Sequence, residues 1–580
     1  MAESMSQDIS TNTRLFLAAI DLGTTYSGWA YSTRNEPNKV HANQVWFAGS
    51  ASLGSLKTPS CVLLTPNKEF KSFGYEAETM FATLAEKKQH SGWFFFQRFK
   101  MALFDDRKLT RFTTIEDVSG KKMPALVIFA HAIRYLKESF MATVRNRVTN
   151  VKDTDVNYVL TVPAIWNDMA KTFMREAAKQ AGIPNNQLTI ALEPEAASIW
   201  CQGIHTEVRR ELDNAILGIS SVGTRYMIVD LGGGTADITV HEKRPNNTLL
   251  EIHRPTGGAW GGTEVDKNFI QLLENILGPH LWKKYEQKEV EDILEINRDF
   301  ETKKRNIRTI NERHITIKAP SSLKEAYEQS GKRSLSDVEV QFDKKIEWKR
   351  DKLKIDSAIL TRCFEEPINK VILHIKSILS EKDMINVTKI MLVGGFAESP
   401  FVQETFRNTF VDKQIIIPPE CGLAVLKGAV LFGQNPCIVT SRIARYTYGL
   451  EIAAPFNQTK HSCKKLVNTD AGPLCRDLFW KAVGIGQEIV NGHEVSRIGK
   501  AVDDYQPKIV LKVVKSKQQD PIYTTDRDCE VIGQVEVPMD CTLKADENAV
   551  DEIFIFGGTE LILKTRHRKT GSIQTLSFDL

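Results

Sequence analysis

A short pattern that occurs twice limits the fold of this chain more than any other sequence feature. Residues 15–25 read LFLAAIDLGTT, and residues 226–235 read YMIVDLGGGT. In each copy, an apolar run typical of a buried strand ends in Asp-Leu-Gly and continues into a turn of glycine and threonine. The repetition predicts two lobes of similar design, each with an aspartate, Asp21 or Asp230, at the end of its first strand.

The turns after these strands have the composition of an anion-binding loop. In DLGTTYSG (21–28), Gly23 lacks a side chain that would obstruct a phosphate, and Thr24 and Thr25 offer hydroxyl and backbone N–H groups. DLGGGTAD (230–237) repeats the arrangement with three glycines. One such motif is as well explained by a Gly-rich turn beside an aspartate cap, but two of them after apolar strands favour the walls of a site for a phosphate chain.

Acidic residues of both motifs predict a bound metal ion. Mg²⁺ prefers oxygen ligands and keeps several of its waters, so the surrounding carboxylates are expected to act mostly through water. The predicted Mg²⁺ residues are Asp21, Asp230 and Asp237. The chain has neither the GxxxxGK[ST] pattern of P-loop proteins nor a GxGxxG pattern after its first strand, which excludes two other classes of nucleotide site.

The order of the predicted elements indicates an α/β fold for the first three quarters of the chain. Apolar strand-like runs alternate with amphipathic stretches, which is typical of sheets covered by helices. The cap-type residues Asn167 and Asp168 predict a helix start. Further strands are expected over 156–166, where Pro163 ends the strand, and over 190–192 and 389–393, with helices over 290–308 and 422–432.

The pattern changes near residue 440, and from Tyr446 to Leu580 it consists of strands separated by turns. KIVLKVVKSK, CEVIGQVEVPMD and DEIFIFGGTELILKTRHRKTGSIQTLSFDL alternate apolar and polar residues, and RKTGS (568–572) is a hairpin signal. No helical pattern follows. These observations predict an all-β module at the end of the chain.

Net charge, the length of apolar stretches and the cysteine pattern argue against several classes of binding partner and cellular location. The chain carries 76 basic and 72 acidic residues, a formal net charge of +4, so it has no single-sign field to favour nucleic acid or an anionic membrane. The longest apolar stretch, Pro124–Ile133, is shorter than the about 20 residues that span a bilayer. The first residues lack a secretory pattern, and the nine cysteines contain no CxxC, so we expect reduced thiols in a cytoplasmic protein, with access to the nucleus left open.

The two Gly/Thr motifs resemble the phosphate motifs of the seventy-kilodalton heat-shock protein family. MLVGGFAESP (391–400) stands where that family has its adenosine motif, and TVPAIWND followed by EPEAAS is similar to its connecting segment. The resemblance covers residues 15–580, and TPS (58–60), GGTEVD (261–266) and FETKKR (300–305) keep the family's order. FQRFKMALF, GGFAESP and GLAVLKGAVLFG are more similar to a divergent branch, heat shock 70 kDa protein 12, than to the best-known chaperones.

The resemblance implies a two-lobed, actin-like ATPase domain (a duplicated ribonuclease H-like α/β fold) followed by a β-sandwich-like module for substrate. We place a flexible tail at residues 1–14, lobe I at 15–222, lobe II at 223–437 and the β-rich module at 438–580. The helical lid of the family is not expected, because no helical pattern follows the β module.

Site residues carry over by their position in the motifs. The implied phosphate cradle is Gly23, Thr24, Thr25, Tyr26, Gly232, Gly233, Gly234 and Thr235. The implied catalytic group around Mg²⁺ and the attacking water is Asp21, Glu193, Asp230 and Asp237. Ribose and adenine are expected at Glu301, Lys304, Arg305, Gly394 and Gly395. For the basic residues of FETKKR, a solvated helix face is the alternative explanation.

Three departures from the family pattern predict altered behaviour. Gln97 stands at the family's lysine near the γ-phosphate, with Lys100 out of register, and losing that cation is expected to weaken transition-state stabilisation by roughly a few kcal/mol. Phe396 and Glu398 replace a serine and an arginine, and Phe396 suits either adenine stacking or the core. CIVTSRIAR (437–445) replaces an acidic-apolar linker, which predicts poor coupling between nucleotide and substrate.

The resemblance therefore implies an ATP-binding, chaperone-like protein of the stress response. Mg-ATP or ADP would bind between the lobes with slow hydrolysis, and the β module would bind unfolded or extended peptide or a signalling partner. The alternative is a non-catalytic, nucleotide-responsive scaffold or signalling regulator. A sugar-type kinase and an actin-like filament protein share the fold, but the terminal β module disfavours both.

Overall fold

The computed structural model describes residues 14–43, 45–47, 54–105, 109–203, 221–308, 314–330, 335–469, 472–501, 504–544 and 547–576. The predicted tail at 1–14 lies, except for Arg14, outside these residues. The fold is α/β, as expected, and its sheets alternate with helices along the chain up to residue 434.

The first large sheet is built around the strand that carries Asp21. Phe16–Leu22 runs parallel to Val156–Val162 and antiparallel to Tyr26–Thr33. The strand order is Leu188–Leu192, Val156–Val162, Phe16–Leu22, Tyr26–Thr33 and Glu36–Ala42, with Thr58–Pro59 also paired to Tyr26–Thr33. All of Phe16–Leu22 is buried, because helices cover both faces of the sheet.

The alternation of side chains along this strand separates two cores. Ala18 and Ile20 face the helices Ala125–Arg145 and Asp168–Gln180. Leu17 and Ala19 face the opposite side, toward a layer of two other helices. The predicted cap is confirmed, because the Asn167 side chain accepts a hydrogen bond from the Ala170 N–H at the helix start.

The second large sheet repeats this arrangement around the strand that carries Asp230. Arg225–Leu231 is antiparallel to Ala236–Lys243 and parallel to Lys389–Val393, just as Phe16–Leu22 has one antiparallel and one parallel neighbour. The strand order is Gln414–Ile416, Lys389–Val393, Arg225–Leu231, Ala236–Lys243, Leu249–Gly258, Val439–Ile443 and Glu488–Val490. The predicted duplication of the strand and turn unit is therefore present in the structure.

Two helices form a layer between the large sheets. Glu193–Gly203 packs on Ala424–Gln434, and buried residues of both sheets join the same core. A Cβ at Gly428 would overlap the carbonyl oxygen of Ala196, so the helix backbones touch. This contact requires a glycine and brings the two halves together.

Peripheral elements extend both halves. The first half adds Trp46–Phe47 with Gly54–Ser55, the sheet Phe70–Phe73, Cys61–Leu64 and Phe94–Gln97, the hairpin Thr114–Glu116 and Lys122–Pro124, and helices Gly74–Glu86 and Ala102–Asp105. The second adds helices Gly262–Leu277, Pro279–Lys288, Val290–Lys304, Ser321–Gln329, Leu335–Gln341, Ser357–Leu379 and Pro400–Thr409, and the sheet His314–Lys318, Lys352–Asp356 and Ile346–Lys349. None of the helices among the described residues has the length and apolar composition that a membrane crossing requires.

The last part of the chain forms two antiparallel sheets. One has the order Leu466–Thr469, Gly472–Val483, Thr447–Pro455, Lys508–Ser516 and Cys529–Pro538, and the other His493–Lys500, Ala549–Phe556, Ile562–His567 and Ile573–Leu576. Leu450, Val513, Phe554 and Leu563 belong to one core shared by both sheets. The predicted RKTGS hairpin is confirmed. Within the described residues that follow Ile443, there is no α-helix.

The segment that replaces the family's linker is a strand. Val439–Ile443 lies parallel to Leu249–Gly258 and antiparallel to Glu488–Val490. Arg442 is buried and pairs with both carboxylate oxygens of Glu195, at 2.7 and 2.8 Å. The β-rich part is therefore joined to the second large sheet by continuous strand pairing.

Replacing Gly428 by alanine tests the contact between the two central helices. Alanine favours a helix by about 0.5–1 kcal/mol, but the overlap with the Ala196 backbone is expected to cost roughly 1–3 kcal/mol or more. Gly428→Ala should therefore lower the unfolding temperature. Thermal unfolding checks this, with Gly92→Ala as control, because a Cβ there meets Pro66 at an ordinary 3.4 Å. Equal unfolding temperatures for both variants would contradict the contact.

Candidate functional site

The two Gly/Thr turns meet face to face. A Cβ on Gly233 would overlap the Thr25 side chain, and a Cβ on Gly234 would lie 2.6 Å from Thr24 Oγ1. Both contacts join the first large sheet to the second. Glycine at these positions therefore allows the backbones of the two turns to approach closely.

A cavity of about 370 Å³ lies between the turns. Every residue predicted for the site except Asp237 lines it: Asp21, Gly23, Thr24, Thr25, Tyr26, Glu193, Asp230, Gly232, Gly233, Gly234, Thr235, Glu301, Lys304, Arg305, Gly394 and Gly395. Asp237 is buried directly opposite Asp230 in the paired strand, and its Oδ1 accepts a hydrogen bond from the Ile165 N–H at 2.9 Å. The structure thus brings the predicted residues of both halves to one place.

Asp21 is held by two residues that the sequence reasoning did not select. Lys57 Nζ lies 2.7 Å from its Oδ2, and Thr161 Oγ1 donates a hydrogen bond of 2.8 Å to its Oδ1. Burial alone would raise the pKa of Asp21, but the ammonium groups of Lys57 and Lys100 outweigh it and lower that pKa below its ordinary value. The sequence feature that could have identified Lys57 is its position directly before TPS (58–60).

Lys100, and not Gln97, places a second cation at the site beside Lys57. Lys100 Nζ lies 2.7 Å from Glu193 Oε1 and 5.3 Å from the centre of the Trp166 ring, and the residue is only 4% exposed. Gln97 is exposed and does not line this cavity. The expectation that the site loses this cation was wrong. It compared FQRFK with the family position by position, whereas the left-handed turn at Arg98, whose φ is 54°, changes where the Lys100 side chain lies.

Buried carboxylates at the site are crowded. Burial, partly offset by Lys100, raises the pKa of Glu193 to about 7. Burial and the neighbouring carboxylates Glu193, Asp237 and Asp21 raise the pKa of Asp230 well above its ordinary value. Burial also raises the pKa of Asp237. A cluster of this kind gains from a cation, although no three His, Cys, Asp or Glu side chains of the described chain converge to ligate one ion directly.

One end of the cavity is built from ion pairs. Lys304 Nζ lies 2.6 Å from Asp266 Oδ1 and 2.5 Å from Glu301 Oε2, and Arg305 is 2.9 Å from Glu301 Oε1. Because Lys304 is buried, a solvated helix face does not describe it. Phe396 lines the cavity but belongs mainly to the core, where it stacks on Phe364.

Gly394 allows the adenosine-motif turn to pass close to Asp230. Its φ is 90°, and a Cβ would overlap Asp230 Oδ1 and the Leu231 carbonyl. Only glycine adopts this conformation in this space without strain. Gly395 has no atom within 4 Å of a Cβ position, so its backbone is open to the cavity.

A second cavity of about 510 Å³ adjoins the first. Tyr26 and Arg305 line both cavities, with the guanidinium carbon 4.7 Å from the ring centre. Two ion pairs bridge the same cleft, Arg298–Glu78 at 3.0 Å and Arg98–Asp266 at 2.7 Å. These contacts hold the outer parts of the two halves together.

One loop connects the cavity to the β-rich part. Arg445 donates hydrogen bonds to the carbonyl oxygens of Ala164, Ile165 and Trp166, at 2.7–3.0 Å. On the other side of this loop, the Ile165 N–H binds Asp237 and the Trp166 ring faces Lys100. The predicted poor coupling had rested on the sequence of 437–445, and the structure shows that this segment is in direct contact with the loop.

The comparisons with known proteins agree with this arrangement. A family model described as Hsp70 protein matches residues 17–452, so the chain belongs to the Hsp70 family. It is similar to Heat shock 70 kDa protein 12A of Mus musculus, with 32% identity over 95% of this chain and 89% of the relative. It is also 32% identical to Heat shock 70 kDa protein 12B of Homo sapiens, over 90% of this chain and 84% of the relative. The predicted resemblance to this branch is confirmed.

Asp230→Asn tests the crowding of the carboxylates. A carboxyl whose pKa is raised in the folded state costs stability at high pH, and this cost fades as the pH falls toward its ordinary pKa of 3.8. Without nucleotide or metal, the variant should therefore unfold at least about 2 °C above wild type at pH 8, the shift produced by about 1 kcal/mol, with a smaller gain at pH 5.

Thermal unfolding across this pH range provides the measurement. Asp343→Asn is the matched control, because Asp343 is exposed and its φ of 50° suits asparagine equally well. A lower unfolding temperature for Asp230→Asn at pH 8 would contradict the described electrostatics.

Proposed function

We propose that this chain is an ATP-binding, chaperone-like protein that holds Mg-ATP or Mg-ADP in the cavity between its two halves and hydrolyses ATP slowly. The observation that carries the proposal is the convergence of both Gly/Thr turns, buried carboxylates and Lys57 and Lys100 on that cavity. Family membership supports the same conclusion. We further infer a cytoplasmic location and a role in the stress response.

The residues present fit the proposed ligands. Thr24, Thr25 and the glycine turns offer hydroxyl and backbone N–H groups to phosphates, and the crowded carboxylates Asp21, Asp230 and Asp237 would hold Mg²⁺. When bound, Mg²⁺ supplies positive charge that neutralises the phosphate oxygens. Lys100 places its amino group beside Glu193, with Nζ 2.7 Å from Oε1. In the ligand-free protein the pKa of Glu193 is about 7, and a carboxylate with such a pKa is suited to accept a proton from water.

We assign the architecture on the same basis. The repeated arrangement around Asp21 and Asp230 supports an actin-like pair of lobes at 15–222 and 223–437, and the two facing sheets support a β-sandwich-like module from 438. Since Val439–Ile443 pairs within the second large sheet, a boundary just after Ile443 fits better than one at 437. The module is proposed to bind extended peptide or a partner.

Single-turnover hydrolysis of labelled ATP with Mg²⁺, with binding measured in parallel, tests the proposal. Wild type should bind and slowly convert ATP, and Asp230→Asn should bind without turnover. Turnover of ATP by wild type and its loss in the variant would support a working ATPase. Failure of wild type to bind ATP would refute the proposal.

Lys100 is expected to be the cation that matters for turnover. Lys100→Met should slow single-turnover hydrolysis by about 10²–10³-fold, the usual effect of losing one stabilising donor. Gln97→Ala is the control and should leave the rate nearly unchanged, because Gln97 does not line the cavity. Retained ATP binding by Lys100→Met shows that the variant is folded, and an equal loss in both variants would argue against this role.

A nucleotide-responsive scaffold is the second candidate, favoured by the contacts of Arg445 with the loop 164–166. Binding of ATP without turnover would select it.

In both candidates the module must sense the nucleotide, so ATP should change hydrogen exchange in Val439–Ile443 and Thr447–Pro455. Arg445→Ala should abolish this response. Its Kd for ATP should stay within about threefold of the wild-type value, a change of less than about 1 kcal/mol in binding free energy.

Arg476→Ala provides the control for this experiment. Arg476 is exposed in the β-rich part and pairs only loosely with Asp477, at 3.7 Å. A response that persists in Arg445→Ala, or one that is lost equally in Arg476→Ala, would show that the loop 164–166 does not carry the coupling.

A further inference from the structure

One carboxylate at the ion-paired end of the nucleotide cavity has no ion-pair or hydrogen-bond partner among the described residues. Glu398 lies in the short turn Phe396–Glu398 directly after the two glycines of the adenosine motif, and it lines both cavities. The other carboxylates at this end are paired, Glu301 with Lys304 and Arg305, and Glu420 with Lys427 at 2.6 Å. Within the described chain, Glu398 has no ion pair within 4 Å and no hydrogen bond.

The surroundings of Glu398 keep its carboxylate free as an acceptor. A Cβ on Gly422 would overlap Glu398 Oε1, so the carboxylate rests against the Gly422 backbone. Arg305 interacts electrostatically with Glu398, but its guanidinium is engaged by Glu301 through Nε and Nη2. Both oxygens of Glu398 therefore remain available to a ligand in the cavity.

Nucleobases differ in what they offer to such an acceptor. Guanine presents N1–H and the N2 amino group side by side, which matches the two oxygens of a carboxylate in a bidentate pair. Adenine presents its N6 amino group beside N1, which is itself an acceptor and repels the second oxygen. Glu398 is exposed, so water satisfies its oxygens when no ligand is bound, and the preference arises from the bidentate pair that guanine completes and adenine does not.

We propose that Glu398 is a specificity-determining residue that reads the donor edge of guanine, so that the cavity binds Mg-GTP at least as tightly as Mg-ATP. The inference rests on the proposed function, since it concerns the base of the nucleotide held between the two halves. It adds guanine nucleotides to the ligands of this site and assigns the base preference to one side chain.

Isothermal titration calorimetry of the full chain with Mg-ATP, Mg-GTP and Mg-ITP tests the proposal. Wild type should bind GTP with a Kd equal to or below that for ATP. ITP should bind several-fold more weakly than GTP, because hypoxanthine keeps N1–H and lacks the amino group.

Glu398→Gln should weaken GTP binding by about tenfold or more, since the amide loses the charge and turns one acceptor into a donor. ATP binding by the same variant should change by less than about threefold, which also shows that it is folded. Glu420→Gln is the matched control, because Glu420 lines the same cavity and is paired with Lys427. This control should leave the ratio of the two Kd values unchanged.

The outcomes separate this inference from the proposed function. Wild type that binds ATP but binds GTP tenfold or more weakly would overturn the role of Glu398 and leave the proposed function standing. An unchanged GTP to ATP ratio in Glu398→Gln would also overturn it. If neither nucleotide binds, the proposed function itself fails.

Discussion

The layer of two helices between the large sheets is the contact on which the rest of the structure depends. Glu193–Gly203 and Ala424–Gln434 pack backbone to backbone at Gly428, and both sheets bury side chains against them. The Gly/Thr turns follow the strands that this layer supports. The distance between the two walls of the cavity is therefore set by these close-packed helices. The turns need only residues small enough to let their backbones come into contact.

Charge at the cavity follows from this close packing. Bringing the two strand ends together buries Asp21, Asp230, Asp237 and Glu193 where water cannot solvate them fully. Lys57 and Lys100 offset only part of the repulsion, as the raised pKa of Asp230 shows. The same unfavourable arrangement that costs stability in the ligand-free protein favours the binding of a cation, because a positive charge relieves the repulsion between the carboxylates.

The β-rich part is attached to this charged site through contacts of well-defined geometry. Strand Val439–Ile443 extends the second large sheet, and Arg442 and Arg445 reach from it into the first half. Breaking a buried pair such as Arg442–Glu195 leaves an uncompensated charge, typically at a cost of about 3–5 kcal/mol. The position of the β-rich part relative to the cavity is therefore strongly constrained by these contacts.

The sequence by itself determined those features whose causes are local: the apolar strands that end at Asp21 and Asp230, their glycine turns, the Asn167 cap and the final hairpin. Nearly all of the site residues that it selected line the cavity, because they lie within recognisable motifs. Only the tertiary structure decided that Lys57 and Lys100 are the cations of the site and that 439–443 is a strand. The physical reason is that burial, ion pairing and strand pairing join residues far apart in the chain, and no local pattern contains the distances between them.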